Sequence, residues 1–170
     1  YGTYEKKKGL LNKIIRYDTF NIAQQYLSFA LAGQTYMGVG RNLGYKKSLF
    51  FDNKGFASHM HIASGDDDLF IQEIASKEVS TISLLEDAHT TSEVMESWRD
   101  WIYQKRRHLS TSHLYRTRFK VLLSIYPLAQ LIFLLSVVLL FFLKTEMIYI
   151  VIVLLVRWLP SYVLNYKIMR

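Results

Sequence analysis

The chain has 170 residues, of which 51% are hydrophobic, 15% aromatic and 21% charged; that is too apolar for a disordered polypeptide and too charged for a chain made only of membrane spans. The absence of cysteine excludes disulfides, thiolate nucleophiles and cysteine-based zinc or iron–sulfur sites together. The net charge of +7 raises nucleic acid as a partner, but no RNA- or DNA-binding module accompanies it and none is expected to bind.

The sequence opens at Tyr1 on charged, helix-like residues without the ordered regions of a signal peptide, so a fragment of a longer protein is expected. Leu11, Ile14, Ile15, Ile22, Tyr26, Phe29 and Ala30 recur mostly every three or four residues. That period predicts a helix over 10–31, or two helices with a kink where Asp18 or Thr19 caps the second piece, ended by Gly33. Lys6, Lys7, Lys8 and Lys13 near its start would let it lie on a membrane surface or pack under a catalytic domain.

In the stretch from Thr35 to Phe56, Gly38, Gly40 and Gly44 punctuate a short strand-forming segment, and Asn53 to Gly55 make a turn. Glycine at this density allows close approach of backbone to a ligand, and it equally describes a hairpin or bend. GVGRNLG lacks the terminal Gly-Lys-Ser/Thr of a phosphate-binding loop. His59 and His61 have the alternation of a strand with two partly exposed imidazoles; a metal site completed by Asp66 or Asp68 is the competing reading, which His89 and His113 have no spacing to join.

The sharpest local feature is the run Gly65-Asp66-Asp67-Asp68 followed by Leu69-Phe70-Ile71. Adjacent carboxylates repel, and setting them beside apolar residues is costly unless the charge has a use. A carboxylate with anionic neighbours holds a proton more readily, which suits a base acting on a hydroxyl. A solvated acidic loop capping the next helix is the alternative.

Ser97 to His108 is helix-compatible and ends in a cationic turn, as suits a helix C-terminus. In a helix Gln104 and His108 are one turn apart with Arg107 beside them, a combination that can grip a diphosphate and a sugar ring. The alternative is an amphipathic helix with Trp98 and Trp101 in the core. From Lys105 to Lys120 the sequence carries Lys105, Arg106, Arg107, Arg116, Arg118 and Lys120 and no Asp or Glu, which is where a membrane protein concentrates cytoplasmic charge.

Val121 to Leu143 is an apolar run long enough to cross a hydrocarbon core of ~30 Å as a helix. Pro127 and Gln130 lie where a neighbouring helix or the interface can satisfy them. After Lys144, Thr145 and Glu146, a second run covers about 147–165 and is broken by Arg157 and Pro160. A return span is expected, with Trp158, Tyr162 and Tyr166 as an interfacial belt and Lys167 and Arg170 beyond it; a bend into the interface after Val156 and a buried soluble hairpin are the alternatives.

The order of these segments resembles the C-terminal part of the membrane-associated family-2 glycosyltransferases, the group that includes cellulose, chitin and hyaluronan synthases. A Gly-rich stretch with Arg-Asn precedes Gly-Asp-Asp; several dozen residues later comes Gln104-Lys105-Arg106-Arg107-His108, similar to a Gln-x-x-Arg-Trp motif, and then the spans. The resemblance implies an α/β fold, the acceptor-side part of a GT-A domain over 1–120, followed by a transmembrane hairpin over 121–170. It implies Asp67 as base with Asp66 shaping its field, Arg107 at the donor diphosphate, Gln104 in support, and Gly38, Gly40, Arg41 and Asn42 along the acceptor channel. His108 replaces the Trp that stacks on the acceptor in processive members, which argues against a long polymer product. The partners implied are a nucleotide-sugar donor, a glycan or lipid-linked acceptor and membrane lipid. Mg²⁺ or Mn²⁺ is implied for the full-length enzyme, with ligands in a donor half that has no counterpart upstream of Gly33; the fragment alone is therefore expected to be inactive. The implied location is the plasma or inner membrane with the soluble part and both chain ends cytoplasmic. A non-catalytic, membrane-anchored lipid- or partner-binding module is the alternative.

Overall fold

The computed structural model describes residues 1–62 and 64–168, and the chain divides into two compact units, Tyr1–Lys120 and Val121–Arg170. The expected α/β fold is present in part: the described residues are mostly helical, with one parallel sheet of two three-residue strands. Those strands, β1 (Gly2–Tyr4) and β2 (Thr90–Ser92), pair in parallel with Thr3 opposite Thr91.

In the first unit, α1 (Leu10–Leu31) is one continuous helix, the first of the two expected arrangements. Neither proposed cap acts as one, because the Thr19 hydroxyl donates back to the Ile15 carbonyl at 2.8 Å and Asp18 forms an ion pair with Lys105. The predicted stop is present. Gly33 adopts φ +71, its N–H donates to the Ala30 carbonyl, and the Gln34 N–H donates to Phe29, so two orphan carbonyls at the helix end are satisfied.

Ile15 is buried with Tyr4 and Val94, and Leu11, Met95 and Trp101 pack against them. A second apolar group forms where Phe70, fully buried, meets Tyr45, Phe50 and Phe56 at ring separations of 5.2 to 5.6 Å. It joins two short helices, α2 (Lys47–Asp52) and α3 (Leu69–Ile74), to the turns between them. Helix α4 (Trp98–Leu109) starts on Ser97, whose hydroxyl oxygen accepts from the Asp100 N–H at 3.1 Å. Trp101 faces the core as the amphipathic reading requires, but Trp98 is 45% exposed.

The predicted strand near Gly38 is absent; the chain turns through a short 3₁₀ helix, Gly40–Asn42. Local side-chain chemistry decides this. The Arg41 guanidinium donates to the carbonyls of Thr3 at 2.8 Å and Gly2 at 3.1 Å and lies 4.1 Å from the Tyr4 ring centre, while the Asn42 amide donates to the Ala88 carbonyl at 2.8 Å. Arg41 thus holds β1 in place. Arg41→Ala should destabilise the first unit by about 2 kcal/mol, the scale of two lost hydrogen bonds and a cation–π contact; an unchanged thermal midpoint would remove this structural role.

The second unit contains most of α5 (Thr117–Phe142) and all of α6 (Met147–Ile168). Both helices are long and apolar enough to cross a membrane, with mean hydropathies of 2.4 and 2.1, and almost none of that apolar surface is buried within the protein. A soluble core hairpin would show the opposite. Helix α6 runs on through Pro160 to Ile168, so the helix does not end after Val156. The turn between the helices places Lys144 at φ 55, and the amides of Lys144 and Thr145 donate to the Phe141 and Leu140 carbonyls. Arg170, read as a flanking charge, lies outside the described residues.

Candidate active site around Asp67

The acidic run enters α3 through Gly65, at φ +112. A Cβ there would lie 2.8 Å from Leu69 Cδ1, so both backbone and packing require glycine. This turn sends the three aspartates into three environments. Asp66 is exposed, Asp67 is half-buried and Asp68 is buried.

Asp68 is the structural member. Its Oδ1 accepts from the Leu69 N–H at 2.7 Å, capping α3, and its Oδ2 accepts from the Thr111 hydroxyl at 2.6 Å and the Tyr115 hydroxyl at 2.7 Å. Thr111 is completely buried, and its hydroxyl also lies 2.9 Å from the His108 carbonyl. The acidic turn is thereby tied to the end of α4. Burial drives the Tyr115 hydroxyl pKa well above its ordinary value, and the bond to Asp68 adds to the rise. Gln72 extends the same seam by accepting from the Arg116 N–H at 3.0 Å.

Asp67 faces the glycine stretch. Its carbonyl accepts from the Gly38 N–H at 2.7 Å and its Oδ2 from the Gly40 N–H at 3.1 Å. Burial raises its pKa above the ordinary 3.8; the Gly40 amide opposes the rise, Asp66 and Asp68 reinforce it, and His108 opposes it. Gly38 and Gly40 therefore contact Asp67, while Asp66 and His108 act on it electrostatically. Gly40→Pro removes the amide proton that Asp67 Oδ2 accepts and sets the proline ring in its place, so the carboxylate must move off this amide. Losing that donor should raise the Asp67 pKa further. ¹³C NMR of the Asp67 carboxyl measures this, and an unchanged titration would show that the amide does not stabilise the carboxylate.

The other expected site residues are placed differently. The Gln104 amide donates to the Tyr4 hydroxyl at 3.3 Å, so it supports β1 and does not face Asp67 through that bond. Arg107 is exposed, about 100° around α4 from His108. Arg41 and Asn42 are committed to backbone carbonyls, leaving Gly38 and Gly40 as the part of the proposed channel lining that reaches the carboxylate. Thr111, Tyr115 and Gln72 escaped the sequence reading. Their partners lie more than forty residues away in the chain, and no local period signals them.

The imidazole pair lies in turns and not in a strand, with His59 buried and His61 exposed. His59 Nδ1 lies 2.9 Å from the Ser58 hydroxyl and 3.7 Å from Glu73. Both Asp68 oxygens already accept hydrogen bonds, and among the described residues no three His, Asp or Glu side chains converge to hold a metal. A hollow of about 760 Å³ lined by Arg99, Asp100, Ile102, Tyr103 and Arg106 lies elsewhere, on the outward side of α4. Because its lining comes from one helix it is an open surface feature, and the titratable cluster marks the site better.

Comparisons with known protein families, curated proteins and solved structures return no match.

Proposed function

We propose that this chain is the acceptor-side and membrane-anchoring part of an inverting glycosyltransferase, in which Asp67 removes a proton from an acceptor hydroxyl. One observation carries this reading: a half-buried carboxylate with a raised pKa, which accepts from the Gly40 amide while its own backbone carbonyl accepts from the Gly38 amide, within the electrostatic influence of His108 on α4. These contacts join the segments on which the resemblance rests. The Gly40 amide holds Oδ2 and leaves Oδ1 to receive the proton. The hydroxyl oxygen then attacks the anomeric carbon of a nucleotide-sugar as the bond to the diphosphate breaks, and the resemblance assigns the exposed Arg107 to offset charge on the departing group.

Among the described residues no three His, Asp or Glu side chains converge to hold a metal; the resemblance assigns the Mg²⁺ or Mn²⁺ ligands to a donor half outside this chain. The cationic residues from Lys105 to Lys120 favour a cytoplasmic soluble part in a plasma or inner membrane. The test is transfer from a panel of labelled nucleotide-sugars by the full-length protein in lipid nanodiscs. Product formation that depends on Asp67 is expected; no transfer from any donor, or transfer indifferent to Asp67, would overturn the reading.

A second reading rests on the outward face of α4, where Trp98, Ile102 and Leu109 are 45 to 68% exposed beside Arg99 and Arg106. Apolar residues flanked by guanidinium groups suit an anionic lipid surface. A lipid-binding module would retain this face and show no transfer.

A further inference from the structure

Arg157 occupies the middle of α6, ten residues from Met147 and eleven from Ile168. At the helical rise it is ~15 Å from either end, close to the centre of a bilayer. Its guanidinium donates to Gln130 Oε1 at 2.7 Å and lies 3.5 Å from the Tyr126 hydroxyl on α5, and it reaches Ser161 Oγ at 3.3 Å on its own helix. The rings of Trp158 and Tyr126 lie 5.3 and 6.0 Å away. Tyr126 and Gln130 are one turn apart, as are Arg157, Ser161 and Asn165, so each helix carries a polar line.

All of these partners are neutral. They engage three of the five guanidinium N–H donors and leave one positive charge at mid-membrane, which arginine does not relieve by losing a proton. From Val121 onward the only acid is Glu146, in the interhelical turn and far from mid-span. A second copy of the hairpin therefore brings no carboxylate to the required depth. Lipid phosphates lie beyond the hydrocarbon edge, a distance greater than an arginine side chain spans by snorkelling from mid-bilayer. Charge and depth together select a carboxylate on another helix.

We propose that the polar line centred on Arg157, Gln130 and Tyr126 is a docking site for a further transmembrane helix bearing Asp or Glu near its middle. This inference does not rest on sugar transfer. The carboxylate approaches the guanidinium from the side left by Gln130 and Tyr126, and pairing keeps it ionised at a depth where an isolated carboxyl would be protonated.

The test uses the whole chain in phosphatidylcholine vesicles with synthetic leucine-rich transmembrane peptides carrying central Glu, Gln or Leu. Energy transfer should show the Glu peptide associating about tenfold more tightly than the Gln or Leu peptides, with the preference lost in Arg157→Gln and mostly kept in Arg157→Lys. Infrared spectra of ¹³C-labelled Glu should show an ionised carboxylate at pH 7 only with Arg157 or Lys present. Circular dichroism identifies any variant whose helices fail, and the infrared readout on the unmutated chain tests the proposal without a variant. Equal association of the three peptides, or a Glu peptide that stays protonated beside the unmutated chain, would overturn it. So would loss of the preference in phosphatidylglycerol vesicles together with immobilised spin-labelled phosphatidylglycerol, which would identify lipid phosphate as the occupant.

Discussion

Asp67→Asn in the full-length protein should lower sugar transfer by about a thousandfold while leaving nucleotide-sugar affinity within about twofold of the parent, the signature of a lost general base. The amide preserves shape and an oxygen for the Gly40 N–H but cannot accept the proton. Burial, the largest influence on this group, raises its pKa above 3.8, so the acidic limb of the parent's rate profile should be displaced upward from that value. The same shift has a stability consequence of defined sign. Folded Asp67 holds its proton more tightly than the unfolded chain does, so its contribution is fully present below pH 3.8 and is lost as pH rises through the elevated native value. Asp67→Asn should abolish that component and leave the protein at least as stable at pH 7. Steady-state kinetics with thermal unfolding across pH measure both. Turnover retained in the variant would remove Asp67 from the mechanism.

Asp68→Ala should produce the opposite pattern, a loss of about 3 kcal/mol in the stability of the first unit. Its oxygens receive the Leu69 amide and the Thr111 and Tyr115 hydroxyls, and Thr111 retains the His108 carbonyl as an alternative acceptor. The expected cost is therefore a lost helix cap of about 1 kcal/mol plus an unsatisfied, partly buried tyrosine hydroxyl at about 1–3 kcal/mol. In a unit of this size that corresponds to roughly 10 °C in the unfolding midpoint. Asp68→Asn, which keeps an acceptor oxygen, should recover part of the loss, and Asp66→Ala, at an exposed position, should change the midpoint little. Comparing Asp66→Ala, Asp67→Ala and Asp68→Ala by calorimetry tests this division. Equal effects at 66, 67 and 68 would mean that the acidic run behaves as one solvated loop.

Neighbouring residues reach these different outcomes because a tight turn points successive side chains in different directions. The sequence run contains three chemically identical carboxylates, and repulsion among them was the basis for seeing a base. Burial proved the larger cause of the shift at Asp67. The alternative role, capping the following helix, is also present, carried by Asp68. The basic face was divided in the same way: Lys105 pairs with Asp18, Arg107 remains exposed, and Arg41 is drawn onto the carbonyls of β1. Hydrogen-bonding demand at β1 also claims Gln104, a group that the motif assigns to the site.

Features arising from interactions within a few residues were determined by the sequence alone: the period of α1 and its stop at Gly33, the Ser97 start of α4, and two apolar runs of membrane-spanning length. Each depends on side-chain spacing, capping or summed hydropathy, quantities that can be read along the chain. The tertiary structure alone decided which aspartate is buried, which amides brace Asp67, and that Arg157 meets Gln130 across the hairpin. These pairings join residues 27 to 43 positions apart. Local pattern carries no information about them, because desolvation and hydrogen bonding depend on what the fold brings alongside each group.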